Sequence, residues 1–181
     1  MLKLRYRAIS AAIALAAAPL PATASEDGWD DAGTIARDAL VVAAFGIPIL
    51  EGDWDGALQA GGSIAATSLI TAGLKEAFPS TRPDLSDDKS FPSGHTSVAF
   101  AAAGTIHNRH GWEVGLPAYL VASFVGLSRV EARKHRVGDV LVGAALGAGT
   151  AHLITRRKND RVQIIPWGDT KSAGVVVAMR F

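Results

Sequence analysis

Between Trp29 and about Thr155 the apolar positions recur at helical spacing, in runs separated by short polar or Gly-containing breaks. Those breaks are Glu51-Gly-Asp53, the polar loop from Phe78 to Phe91, His107–Gly111 and the segment opening at Ser128. They predict helices near 30–50, 54–77, 95–108, 113–128 and 137–156. The tail has a different rhythm. Val162–Trp167 and Gly174–Phe181 flank a turn of Gly, Asp, Lys and Ser, which predicts a short hairpin. The fold class expected is all-α: an antiparallel bundle of about five to six helices, with a short C-terminal β-hairpin or extended tail.

The first residues read as an export signal. Lys3, Arg5 and Arg7 precede an apolar middle from Ile9 to Leu20, and Ala22-Thr-Ala24 supplies the small residues of a cleavage site. The expected organisation is a signal peptide (or an uncleaved membrane helix) over 1–24, a helical domain over 25–161 and the tail over 162–181. The location implied is the periplasm, or the cytoplasmic membrane with the chemistry facing the periplasm.

A membrane span needs roughly 20 predominantly apolar residues. Gly56–Leu74 is uncharged but contains Gln, Ser and Thr, while Val114–Ser128 and Val140–Thr155 are shorter. A bundle lying against a bilayer and one crossing it therefore both fit. Alternating helices bring the 78–91 loop and Ser128–Arg136 to one end, with Lys75, Arg82, Lys89, Arg129, Arg133, Lys134 and Arg136. Arg109, Arg156, Arg157 and Lys158 gather at the other end, as expected of a cytoplasmic side. The first cluster breaks that rule and calls for another reason, such as an anionic ligand.

Composition narrows the classes. The chain is 49% hydrophobic and 19% charged, which is apolar for a soluble protein and mild for one immersed in lipid. A net charge of +1 gives no general basic field, so nucleic acid is not an expected partner. With no cysteine there is no disulfide, thiolate metal site or cysteine nucleophile.

Three stretches carry the candidate chemistry. In the last, Ser128-Arg129-Val-Glu-Ala-Arg-Lys-His135-Arg-Val-Gly-Asp139, the His and Asp stand four apart at a helix start and share a face. The carboxylate can hold one imidazole nitrogen as N–H and leave the other bare, to act as a base, a ligand or a nucleophile. Arg129 adds a permanent charge on a planar fork suited to phosphate oxygens. In the first stretch, Lys75 closes a helix and Pro83 biases Arg82 toward an extended backbone. In the second, Phe91-Pro-Ser93-Gly94-His95, Ser93 fits an N-cap and Gly94 admits a ligand to the backbone. His95 falls in the first turn, where free N–H groups favour an anion. Three cations, backbone donors and two histidines together suit phosphoryl transfer without a metal.

These stretches, Lys-x6-Arg-Pro (75–83), Pro-Ser-Gly-His (92–95) and Ser-Arg-x5-His-x3-Asp (128–139), resemble the three-part signature of the type 2 phosphatidic acid phosphatases. That superfamily also includes class A acid phosphatases and vanadium haloperoxidases. The resemblance implies that His135 attacks phosphorus, Asp139 orients it, and His95 protonates the leaving oxygen and later activates water. It implies phosphate binding by Lys75, Arg82, Ser93, Gly94 and Arg129, and no metal or other cofactor. The implied substrate is a phosphomonoester or diphosphate, preferably on a lipid, with membrane association. Soluble phosphomonoesters are the alternative, then a silent anion-binding protein or a haloperoxidase. Only residues 84–91 separate Pro83 from Pro92, fewer than is usual in the family, so the loop over the pocket should be short. His107, His110 and His152 match no motif and read as surface or helix-end residues. Asp84, Asp87 and Asp88 read as a solvated loop.

Overall fold

A computed structural model describes residues 25–157, 162–168 and 173–179. The expected export signal and residues 158–161 lie outside this set. Five helices form the body: α1 (Glu26–Leu50), α2 (Trp54–Ala77), α3 (Gly94–His110), α4 (Trp112–Glu131) and α5 (Val137–Ile154). Two strands follow, β1 (Val162–Gly168) and β2 (Ala173–Met179), paired antiparallel with Val162 opposite Met179.

Local chemistry sets the helix ends. Ser25 Oγ accepts from Gly28 N–H at 3.1 Å and Asp53 Oδ1 from Gly56 N–H at 3.0 Å, so α1 and α2 each start on a side-chain cap. Gly111, with φ of 80°, takes the left-handed turn between α3 and α4. Helix α4 runs past the predicted stop at Ser128 as far as Glu131, because no breaker intervenes before Ala132 and the positive-φ residue Arg133. Ser128 and Arg129 are therefore helical and buried, not part of a connecting loop.

Helix α3 is the centre and packs against the other four. Its buried residues are small, four alanines (Ala99, Ala101, Ala102 and Ala103) with Thr96, Ser97, Gly104 and Thr105, and Ile106 stands at the far end. Leu40 of α1 and Val114, Val121 and Val125 of α4 complete the core. Small side chains let backbones approach closely. A Cβ on Gly143 would lie 2.6 Å from the Ser93 carbonyl oxygen, and one on Gly147 would overlap the Ser97 carbonyl oxygen, so α5 lies directly on α3.

One end of the bundle gathers the starts of α1, α3 and α5 and the ends of α2 and α4. Ser93 N–H donates to the Asp139 carbonyl at 3.0 Å, and Asp84 N–H to the Arg133 carbonyl at 3.1 Å. The 78–91 loop and the Ser128–Arg136 segment therefore lie at the same end, as expected. At the other end Arg109 forms an ion pair with Asp53 and donates to the Arg156 carbonyl at 3.1 Å.

The outer faces are apolar. Val42, Leu58, Leu69, Leu141 and Leu153 are all exposed, and α1, α2 and α5 are long and apolar enough to cross a membrane. Of the three stretches weighed as spans, those within α2 and α5 meet the requirement over the full length of their helices. An apolar belt of this kind makes the bundle a membrane-associated one.

Candidate active site

The candidate site is built around His135, which sits in the α4–α5 connection at 3% exposure. Its backbone N–H donates to the Arg129 carbonyl at 3.1 Å, fixing the ring's origin relative to α4. Nδ1 lies 2.6 Å from the Ser90 carbonyl oxygen. A carbonyl only accepts, so Nδ1 carries the proton and Nε2 is the bare nitrogen. The Arg82 guanidinium approaches that nitrogen, with Nη1 at 3.5 Å from Nε2. Burial first, then the Arg82 and Lys75 charges, push the imidazole down to about 3, against the opposing Ser90 carbonyl and Asp139. The ring is thus held neutral with an available lone pair.

Asp139 reaches His135 differently from the direct contact expected. Its Oδ2 stands 3.9 Å from Nδ1, beyond hydrogen-bond range. Oδ2 instead accepts from Ser90 Oγ at 2.6 Å and from Arg136 N–H at 2.9 Å. The second bond caps α5. Ser90 therefore links the two, with its carbonyl on the imidazole and its hydroxyl on the carboxylate. The motif spacing contains no sign of Ser90. Its place two residues before Pro92, in the segment that must turn into α3, was the available hint.

The cations assemble on the same side. Lys75 Nζ donates to the Pro92 carbonyl at 2.8 Å and the Lys89 carbonyl at 2.5 Å, which holds the last turn of α2 against the Ser93–Gly94 turn. Gly94 lies beside them, where a Cβ would make only ordinary contacts, 3.9 Å from Lys75 Cε and 3.8 Å from Thr71 Cγ2. Arg82 is aimed by Asp87, whose Oδ1 accepts from Nε at 2.6 Å. Ser93 begins α3 without a side-chain cap. Its Oγ pairs with Thr96 Oγ1 at 2.9 Å, while the first-turn N–H groups have no intrahelical partner and face the site end. Lys75, Arg82, Ser93, Gly94, His135 and Asp139 are thus brought together.

His95 and Arg129 join from the α1 side. His95 Nε2 lies 3.3 Å from Thr34 Oγ1, and burial followed by the Arg129 and Arg37 charges pushes the ring down to about 4. Arg129 differs from expectation. Rather than offering an open fork, its Nη1 is 2.5 Å from Asp30 Oδ1. Thr34 and Asp30 lie four apart on one face of α1, a polar spacing in an apolar helix that motif reading passed over.

The remaining polar residues have structural partners. Asp84 pairs with Lys134 at 2.7 Å and Asp87 with Arg82, so two of the three loop aspartates are engaged and not merely solvated. His107 lies in the last turn of α3, half-buried, with its ring tilted against Trp112 at a centroid separation of 4.1 Å. His110 lies at the end of α3, 3.9 Å from Glu51, and His152 is exposed.

The PAP2 superfamily profile matches residues 56–163. The chain is 34% identical over 111 residues to the lipid A 4'-phosphatase of Helicobacter pylori, covering 53% of this chain and 56% of that protein. It is 43% identical over 83 residues to the lipid A 1-phosphatase of Porphyromonas gingivalis, covering 44% of this chain and 18% of that one. It therefore spans just over half of the first relative and less than a fifth of the second. Among solved structures, Aquifex aeolicus LpxE superposes with a TM-score of 0.62 at 20% identity, over 84% of this chain and 92% of that one. The transmembrane PAP2-type phosphatidylglycerolphosphate phosphatase of Bacillus subtilis gives 0.58 at 27%, over 84% of each chain. The matched segment contains all three motifs and four of the five helices that place them, and the chain belongs to the PAP2 superfamily.

Proposed function

We propose that this protein is a metal-independent phosphatase that removes phosphate from a membrane lipid through a phosphohistidine intermediate. The observation that carries the reading is the bare Nε2 of His135, its partner nitrogen fixed as N–H by the Ser90 carbonyl, facing the Arg82 guanidinium. The Nε2 lone pair forms the N–P bond as the P–O ester bond breaks, and His95, protonated once the charge of the bound phosphate offsets the nearby cations, gives its proton to the leaving oxygen. Neutral His95 then takes a proton from water, whose oxygen attacks phosphorus. The P–N bond breaks and inorganic phosphate is formed. Lys75, Arg82 and the first-turn amides of α3 stabilise charge on the non-bridging oxygens, and Arg129 joins them.

Two things favour a lipid. The apolar belt extends to the site end, where Phe78, Leu85 and Val137 are exposed beside the cations. The curated relatives named above are lipid A phosphatases, which makes a phosphorylated glycolipid the first substrate to test. The signal-like start and the basic far end support an active site facing the periplasm.

The test is phosphate release by the detergent-solubilised full chain, from a short-chain lipid phosphate and from a sugar phosphate. Expected are preference for the lipid, inhibition by vanadate, indifference to chelators and loss in His135→Ala. Chelation that abolished activity would overturn the mechanism, and a preference for the sugar phosphate would overturn the lipid assignment.

A further inference from the structure

Arg129 is 1% exposed, yet its guanidinium already holds an anion. Nη1 donates to Asp30 Oδ1 at 2.5 Å, and Nη2 donates to the Asp30 carbonyl at 2.5 Å and weakly to the Trp29 carbonyl at 3.4 Å. Nε donates to Ser128 Oγ at 3.2 Å. Of the five N–H groups on a guanidinium, these contacts occupy one on Nη1, both on Nη2 and the one on Nε. Main-chain carbonyls and Ser128 keep Nη2 and Nε, so Nη1 is the nitrogen open to a phosphate, and the carboxylate holds one of its two N–H groups.

The two partners differ in freedom. The Asp30 side chain is 36% exposed and that of Arg129 is 2% exposed, so the carboxylate has room to turn away. The backbone of α1 does not. A Cβ on Gly33 would fall 2.5 Å from Arg129 Nη2, so the helix is already pressed on the guanidinium. All of α1 precedes residues 56–163, so the carboxylate comes from outside the segment matched to the superfamily.

We propose that Asp30 is a resident counter-anion for Arg129, displaced by the substrate's phosphate on entry and restored as inorganic phosphate leaves. This rests on the reading of Arg129 as a phosphate-holding residue. A lipid phosphate adds the burial of its chains to its binding, whereas free phosphate has only the cations. A competing carboxylate therefore discriminates against the product and speeds its release. Asp30 does not touch the reacting atoms, so its role is to set affinity.

The experiment compares the full chain with its Asp30→Asn variant, both in detergent. The inhibition constant for inorganic phosphate should tighten about tenfold, equivalent to about 1.4 kcal/mol. It should do so without a matching rise in kcat. An unchanged or weaker constant overturns the proposal. A second measurement needs no variant: carbodiimide-driven labelling of Asp30, read by peptide mass spectrometry, should quicken when vanadate is bound to the wild-type chain. Unchanged or slower labelling overturns it. If the wild-type chain released no phosphate from any ester, the underlying reading would fall as well. An active wild type with an unaltered Asp30→Asn variant retires only the role given to Asp30.

Discussion

Replacing Asp139 by Asn removes one negative charge while keeping the side chain's shape, at a site where that charge acts across space. When Nε2 bonds to phosphorus, the His135 ring, which keeps its Nδ1–H, acquires positive charge. Asp139 Oδ2 is 3.9 Å from that ring nitrogen, with side-chain exposures of 3% for the histidine and 8% for the aspartate. At an effective dielectric constant of about 20, opposite unit charges at this distance attract by about 4 kcal/mol. Loss of that attraction should slow phosphohistidine formation roughly a thousandfold. The tautomer should not change, because the Ser90 carbonyl, and not the carboxylate, holds the Nδ1 proton. The assay is rapid-quench formation of the acid-labile phosphohistidine, with the imidazole nitrogens followed by 15N NMR and folding checked by thermal unfolding. A loss below about tenfold, or a proton moved from Nδ1 to Nε2 in the folded variant, would refute the through-space argument.

Gly147→Ala should lower stability by about 1–3 kcal/mol, because its Cβ overlaps the Ser97 carbonyl and α5 must lift from α3. Gly149→Ala meets nothing within 4 Å and should gain about 0.5–1 kcal/mol, so opposite shifts in the unfolding midpoint are expected, and equal shifts would contradict the packing. The histidines give a pH dependence. His135 at about 3 and His95 at about 4 lie below the unfolded value near 6.5, so the unfolded chain binds the extra protons. Stability from this source is complete above about pH 6.5 and is lost as pH falls toward those values. The unfolding midpoint should therefore drop between pH 7 and 4, less steeply in His135→Gln, and a flat wild-type profile would count against both depressed values.

How much of this was legible in the sequence depends on the distance over which each feature is encoded. Most helix limits were, because breaks such as Glu51-Gly-Asp53 and Gly111 act within a turn of where they stand. Two ends were misplaced by more than two residues: α1 starts at Glu26 and not near 30, and α4 runs on to Glu131 because the polar stretch beginning at Ser128 resembled a loop but contained nothing to stop a helix. The motif residues were legible too, since Pro-Ser-Gly-His and His-x3-Asp have their spacing fixed by the first turn of a helix.

The partners that set the state of each reactive group were not, because they arrive from distant segments. Ser90 is 45 residues from His135, Thr34 is 61 from His95 and Asp30 is 99 from Arg129. The acceptor on His135 is a main-chain carbonyl, which every residue possesses, so no choice of side chain at position 90 could have announced it. Asp30 and Thr34 do have side chains suited to their tasks. Yet a carboxylate and a hydroxyl four apart near a helix start satisfy the helix dipole equally well on their own. Only the contact of Gly33 with Ser128 and Arg129, which depends on how α1 crosses α4, turns that face toward the site. Local spacing thus names the groups that can react, and helix packing decides which of them are neutral, which are paired and which are free.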